Sequence, residues 1–302
     1  MNVMIGSILA RMLASATPIA LGGVGGLFGE RSGITNIGLE GTMLFGAFAA
    51  AMGSYLSGNP WVGLLAGALT GLLISLLHAF LCISVGVDQT VIGLVVNIFA
   101  TNFTIYMLDI FFGNKGTSAA VEKLPALTVP GAEQIPVLGE VLSNISILTI
   151  LAIVIAVAAN YLLFRTKFGL HVMAAGENPR AAFVMGVSVK RTQYIAVMIG
   201  GLCCGLAGAY LSISYLNMFI KDMVSGRGFI AIAAILFGRY HPLGVLAASL
   251  FFGLADAAQM SLQGTINVPN EIVQCIPYVL TIAVVAWNEW RTHRQNGTAQ
   301  LA

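Results

Sequence analysis

The sequence predicts an all-α membrane protein with about nine transmembrane helices, two of them short or broken, and a weak internal repeat. Three observations predict it. Of 302 residues, 58% are hydrophobic and only 9% are charged, where soluble domains carry roughly 25% charged residues. Mean hydropathy is +0.89, so lipid rather than water must cover much of the surface. Apolar stretches also recur at the length a bilayer core demands, roughly 20 residues per helix. Residues 1–302 read as one transmembrane domain.

The spans read as 8–28, 41–56, 61–86, 90–112, 143–164, 192–215, 226–238, 243–262 and 272–288. Two are short. The span 41–56 follows the polar-flecked run Ser32–Glu40, and 226–238 follows Lys221–Gly228. No cleavable leader is expected, because Arg11 sits inside the first apolar stretch. Lys and Arg set orientation by favouring cytoplasmic loops. The loop 165–191 carries Arg165, Lys167, Arg180, Lys190 and Arg191, so it is expected in the cytoplasm. Alternation then puts 113–142, with Pro125, Pro130 and Pro136, outside as an external cap.

The repeat is carried by Ser32-Gly33 leading to Leu44-Phe45-Gly46, and Ser225-Gly226 leading to Leu236-Phe237-Gly238. Each short span is the second of a four-span group. The two groups begin on opposite sides, the pattern of inverted repeats whose broken helices flank a central pathway.

Several functions are excluded by absence. A net charge of +2 gives no basic field for nucleic acid. Cys82, Cys203, Cys204 and Cys275 lie in apolar runs, and His78, His171, His241 and His293 are far apart, so no metal site is expected. No P-loop occurs, and no protease or hydrolase motif. An intramembrane enzyme would need converging catalytic groups that the sequence lacks.

Polar side chains at membrane depth are costly, and they serve either as interhelical glue or as pathway lining. Asn36 and Glu40 can share one face at i, i+4. Asp88 and Gln89 lie between spans three and four. Asn97 and Asn102 lie within span four, and Asp256 and Gln259 within span eight. Glu40 stands out, since a carboxylate at the start of a broken helix can hold the break. In the loop 165–191, Asn178 suits an N-cap, Pro179 the first helical position and Gly186 the stop, predicting a short helix over 179–185. Its Ala182, Phe183 and Met185 suit either a docking surface or an interfacial helix lying on lipid.

At this loop the sequence resembles a known family. The runs are Thr166-Lys167-Phe168-Gly169-Leu170, Gly176-Glu177-Asn178-Pro179 with Ala181-Ala182, Gly186-Val187, and Gly200-Gly201 with Gly205-Leu206-Ala207-Gly208-Ala209. Together they resemble the permease subunits of ATP-binding-cassette importers of the branched-chain amino acid and ribose class. Glu30–Gly41, Gly226–Ala233 and Phe237–Gly244 resemble the nucleoside and simple-sugar branch. The match covers about residues 15 to 285.

The resemblance implies one of two membrane subunits of an importer in the bacterial plasma (inner) membrane. Cytoplasmic ATPase subunits would hold ATP and Mg, and this chain no cofactor. A solute-binding lipoprotein would deliver the solute, and a longer, different permease would be the second membrane subunit. The solute implied is a nucleoside, with a simple sugar as the alternative. Glu177, Asn178, Pro179, Arg180 and Phe183 would belong to the helix that couples to the ATPase. Asn36, Glu40, Gln89, Asn97, Asn102 and Phe229 are the translocation-path candidates. The residues alone also fit a secondary transporter or channel driven by an ion gradient.

Overall fold

A computed structural model describes residues 2–127 and 145–262. The expected span 272–288, and the part of the external segment between residues 127 and 145, lie outside the described residues. Ten α-helices occur among those described: α1 (Asn2–Arg31), α2 (Leu39–Ser57), α3 (Pro60–Ala79), α4 (Gln89–Phe112), α5 (Ile147–Arg165), α6 (Lys167–Glu177), α7 (Pro179–Val184), α8 (Val189–Ala209), α9 (Arg227–Phe237) and α10 (Pro242–Leu262). α3 and α8 each continue into a π-helical turn, Phe80–Val85 and Tyr210–Tyr215. Two short strands, β1 (Ala126–Leu127) and β2 (Ile145–Ser146), pair antiparallel before α5.

The expected count of about nine spans is not what the described helices give. Six are long and apolar enough to cross a bilayer: α1, α3, α4, α5, α8 and α10. α2 has 19 residues, as many as α5, carries Glu40, Thr42 and Ser54, and is mostly buried inside the protein. α9 has 11 residues, about half a bilayer core at 1.5 Å per residue. The loop 165–191 also differs from expectation. It holds two consecutive helices, because Thr166 accepts a hydrogen bond from the Gly169 amide and caps α6 before Asn178 caps α7.

α1 and α8 are buried along most of their length, while α3, α4, α5 and α10 turn most of their surface outward. α3 shows why. Leu65, Leu69, Leu73 and Leu77 recur every fourth residue on its exposed face, while Gly63, Gly67, Gly71 and Ser75 recur at the same spacing on its buried face. Lipid rewards the leucines no less than a protein core would, so close backbone approach through small residues drives the packing. A Cβ on Gly71 would lie 2.6 Å from the Gly205 Cα, and one on Gly46 would lie 2.7 Å from the same atom.

The packing follows the repeat. α1 packs most extensively on α10, and α8 on α3, so among the described residues the first helix of each group lies against the third helix of the other. α2 and α9 pack on each other inside this frame. Their starts meet, since Glu40 reaches the Gly226 and Gly228 amides. Their far ends part. α2 ends near the segment 113–127, where Ser54 Oγ donates to the Glu122 carbonyl at 3.0 Å and Tyr55 meets Phe112. α9 ends near the loop 165–191, where Arg31 Nε donates to the Tyr240 carbonyl at 2.9 Å. α2 and α9 thus start together and run to opposite ends, an arrangement that inverted repeats share.

At the α2 end, the segment 113–127 lies along the turn that leads into α9. The Ser118, Val121 and Leu124 amides donate to the carbonyls of Phe219, Asn217 and Ile213, and Val121 and Leu124 are buried beneath.

Candidate functional site

Among the described residues, four non-glycine positions have positive φ: Asp222, Ser225, Arg239 and Tyr240. All four bracket α9. Left-handed backbone costs an L-residue roughly 1–2 kcal/mol, and such conformations persist where the surroundings over-determine them. The strain therefore concentrates at the two ends of one half-helix.

The junction of the half-helices is built from backbone donors and three side-chain acceptors. Glu40 accepts from the Gly226 amide at 2.8 Å and from the Gly228 amide at 2.6 Å. Those amides belong to the start of α9, which has no preceding turn to bond them. Gly228 must lack a side chain here, because a Cβ would lie 2.5 Å from the Glu40 backbone. Asn97, on α4, accepts from the Gly41 amide at 2.7 Å and donates to the Ile37 carbonyl at 3.1 Å. Asn36 accepts from the Gly38 amide at 2.9 Å and closes the turn before α2. Replacing Asn97 by Leu would leave one donor and one acceptor unpaired at membrane depth, at about 1–3 kcal/mol each. The expected outcome is a lower midpoint of thermal unfolding in detergent, with Asn97→Asp, which keeps the Gly41 bond, falling between.

The path candidates do not all converge. Glu40, Asn97, Asn102 and Phe229 line one cavity of about 310 Å³, with Gly41, Thr101 and Asp222. Asn36 is buried in its turn beside it. Gln89 lies elsewhere, accepting from the Thr35 amide at 2.7 Å where the chain turns toward α2. Asp88 caps α4 through the Thr90 and Val91 amides, and Asp256 pairs with Arg227 at 3.7 Å. Asp222 was not singled out from the sequence. Its signal was a carboxylate in the polar lead-in to the second short span, Lys221–Gly228.

The loop 165–191 meets the end of α1 and the turn between α1 and α2, and through Arg31 it is linked to the turn that follows α9. On the α2 side, a Cβ on Gly33 would lie 3.2 Å from the Gly176 Cα, and one on Gly176 would collide with the Arg31 carbonyl. On the α9 side, Arg31 bonds the Tyr240 carbonyl and lies 5.8 Å over its ring. α7 hangs outward from this contact. Asn178 accepts from the Ala181 amide at 3.0 Å, Pro179 opens the helix, and Ala182 alone is buried. Phe183, Val184 and Met185 are 72%, 82% and 83% exposed, and Glu177 and Arg180 are exposed beside them.

Comparison with known proteins supplies the family. The family model described as the branched-chain amino acid transport system permease component matches residues 8–285. This chain belongs to that family. The permease is 40% identical to NupQ of Bacillus subtilis, a guanosine ABC transporter permease protein, over 91% of this chain and 89% of that one. It is 36% identical to NupC of Lactococcus lactis, a nucleoside ABC transporter permease protein, over 92% and 91%. Among solved structures, an inward-facing metal-chelate type ABC transporter superposes with a TM-score of 0.53 at 14% identity, covering 93% of this chain and 85% of that one. That last likeness concerns the fold alone. The chain is a multi-pass membrane permease of the ABC importer type.

Proposed function

We propose that this permease is one of two membrane subunits of an ATP-driven nucleoside importer in a bacterial plasma membrane. The observation that carries the reading is its likeness to NupQ and NupC over about nine-tenths of each chain. In this reading a longer second permease completes the pathway, cytoplasmic ATPase subunits bind and hydrolyse ATP with Mg, and a binding lipoprotein delivers the solute outside. The lead-ins Asn36–Gly41 and Ser225–Phe229 line the path at the centre of the two-permease assembly. α7 is the coupling helix, and its exposed Phe183 and Met185 are the anchors that fit an ATPase groove.

The linkage from α7 supports that role. α6, which leads into α7, meets the turn before α2 through Gly176 and Gly33, and Arg31 beside Gly176 bonds the Tyr240 carbonyl in the turn after α9. Movement of α7 would then reach the turns that flank both short helices. ATP sets the direction of transport only so far as the two states of the assembly differ in affinity for it.

The test is co-purification in mild detergent followed by uptake in proteoliposomes. With Phe183→Asp and Met185→Asp together, the permease is expected to stay folded, because both side chains are exposed. It should lose the ATPase, since an interface anchor contributes at least about 2 kcal/mol, roughly 30-fold in affinity. Full uptake by the doubly substituted complex would overturn the coupling assignment. Uptake by the purified chain alone under an ion gradient would favour a secondary transporter instead.

A further inference from the structure

The cavity between the half-helices offers polar groups that the fold does not use. Glu40 and Asn97 are engaged by backbone amides. Asn102, which lines the cavity, uses its Nδ2 on the Ile98 carbonyl, one turn back, and its Oδ1 accepts no hydrogen bond from a described residue. The Asp222 carboxylate makes no hydrogen bond or ion pair among the described residues, although it is exposed on the cavity wall. Phe229 is 47% exposed there and pairs with no other aromatic ring among the described residues.

The position of Asp222 is fixed. Its φ is +53°, in a turn closed by Met223 N to the Ile220 carbonyl and Ser225 N to the Asp222 carbonyl. The next two side chains, Met223 and Val224, are buried and hold that turn in place. A strained residue carrying a free carboxylate at a cavity is a reason to look for a ligand.

We propose that this cavity is a ribonucleoside subsite, in which Asp222 accepts hydrogen bonds from the ribose 2′- and 3′-hydroxyls and the Phe229 ring carries the base. The inference rests on the proposed function, and it names what the path recognises. A carboxylate has two acceptor oxygens and no donor, which matches two neighbouring hydroxyls. The same chemistry recognises ribose in dinucleotide-binding proteins. An exposed aromatic ring offers a stacking platform for any base. Leu44 and Ile98 add apolar wall, and the Asn102 Oδ1 can accept from a base amino or imino group. About 310 Å³ lies at the lower end of small-molecule pockets, room for one nucleoside-sized solute.

The experiment uses the complete complex, with its second permease, ATPase and binding protein, in proteoliposomes. Uptake of guanosine, 2′,3′-dideoxyguanosine and glucose is compared between the unaltered permease, Asp222→Asn and Phe229→Ala. Asparagine keeps the left-handed backbone. The same binding protein serves every variant, so its own selectivity cancels in the ratio. Asp222→Asn should slow guanosine uptake about tenfold, the effect of one lost charge-assisted hydrogen bond. It should slow dideoxyguanosine uptake by less than about twofold, because the bond is already missing there. Phe229→Ala should slow both nucleosides alike. If Asp222→Asn slows both equally, or leaves guanosine unchanged, the subsite is wrong while nucleoside import stands. If the unaltered complex takes up glucose and neither nucleoside, the proposed function itself fails.

Discussion

Glu40→Ala is expected to abolish uptake and lower the thermal stability of the permease in detergent. The carboxylate bonds two amides that begin α9, at 2.8 and 2.6 Å. A hydrogen bond to a charged group contributes about 1.5–3 kcal/mol, so losing both costs about 3–6 kcal/mol. That is a large part of the 5–15 kcal/mol that typically separates folded from unfolded protein. Glu40→Gln should fall between, since one oxygen can still accept while the amide NH2 faces a donor. Gly228→Ala should reproduce the defect with the carboxylate intact, because the new Cβ would displace the Glu40 backbone. Melting curves with uptake assays check all three. Ordinary uptake by Glu40→Ala would show that the half-helices hold together without the bond.

Gly205→Val should prevent folding of the permease, as read by monodisperse yield in detergent. A Cβ there would strike the Gly67 carbonyl and lie 3.0 Å from the Ala68 Cα. Both contacts are backbone, so no side chain can swing aside. Over-packing costs about 1–3 kcal/mol where the neighbours can give, and more where two helix backbones must separate. Leu69→Ala, on the outward face of the same α3, should change stability by no more than about 0.5 kcal/mol. Equal damage from both would mean that the seam does not set the packing of α3 on α8. Pairing Gly67→Ala with Gly205→Ala should be non-additive, since both act on one contact.

The membrane class was legible because composition and hydropathy act on every residue. The pairing of two short helices was legible because similar runs, Ser32-Gly33 and Ser225-Gly226, lead into them. The two short spans were legible as helices, α2 and α9, but the burial of α2 inside the protein was not, because apolar side chains serve lipid and protein neighbours alike. Glu40 could be read as a carboxylate at a broken helix, but its partner is 186 residues away and leaves no local signal. Asp222 escaped notice because its setting is a turn at positive φ, in a residue that is not glycine. α6 carried a readable signal in Thr166, three residues before Gly169, yet a loop between two spans did not invite a second helix.

The exchange of partners between the halves, α1 with α10 and α8 with α3, bears on how the chain is made. Membrane insertion follows synthesis, so α1 enters lipid long before the helix it packs against exists. Arg31 and Tyr240 are 209 residues apart. At about 5–20 residues per second that interval is roughly 10–40 s. During that interval the face of α1 that will receive α10 is open to whatever else is in the bilayer. A nascent chain that stalls before α10 keeps this face uncovered, and so presents membrane proteases with a mark that the finished molecule hides.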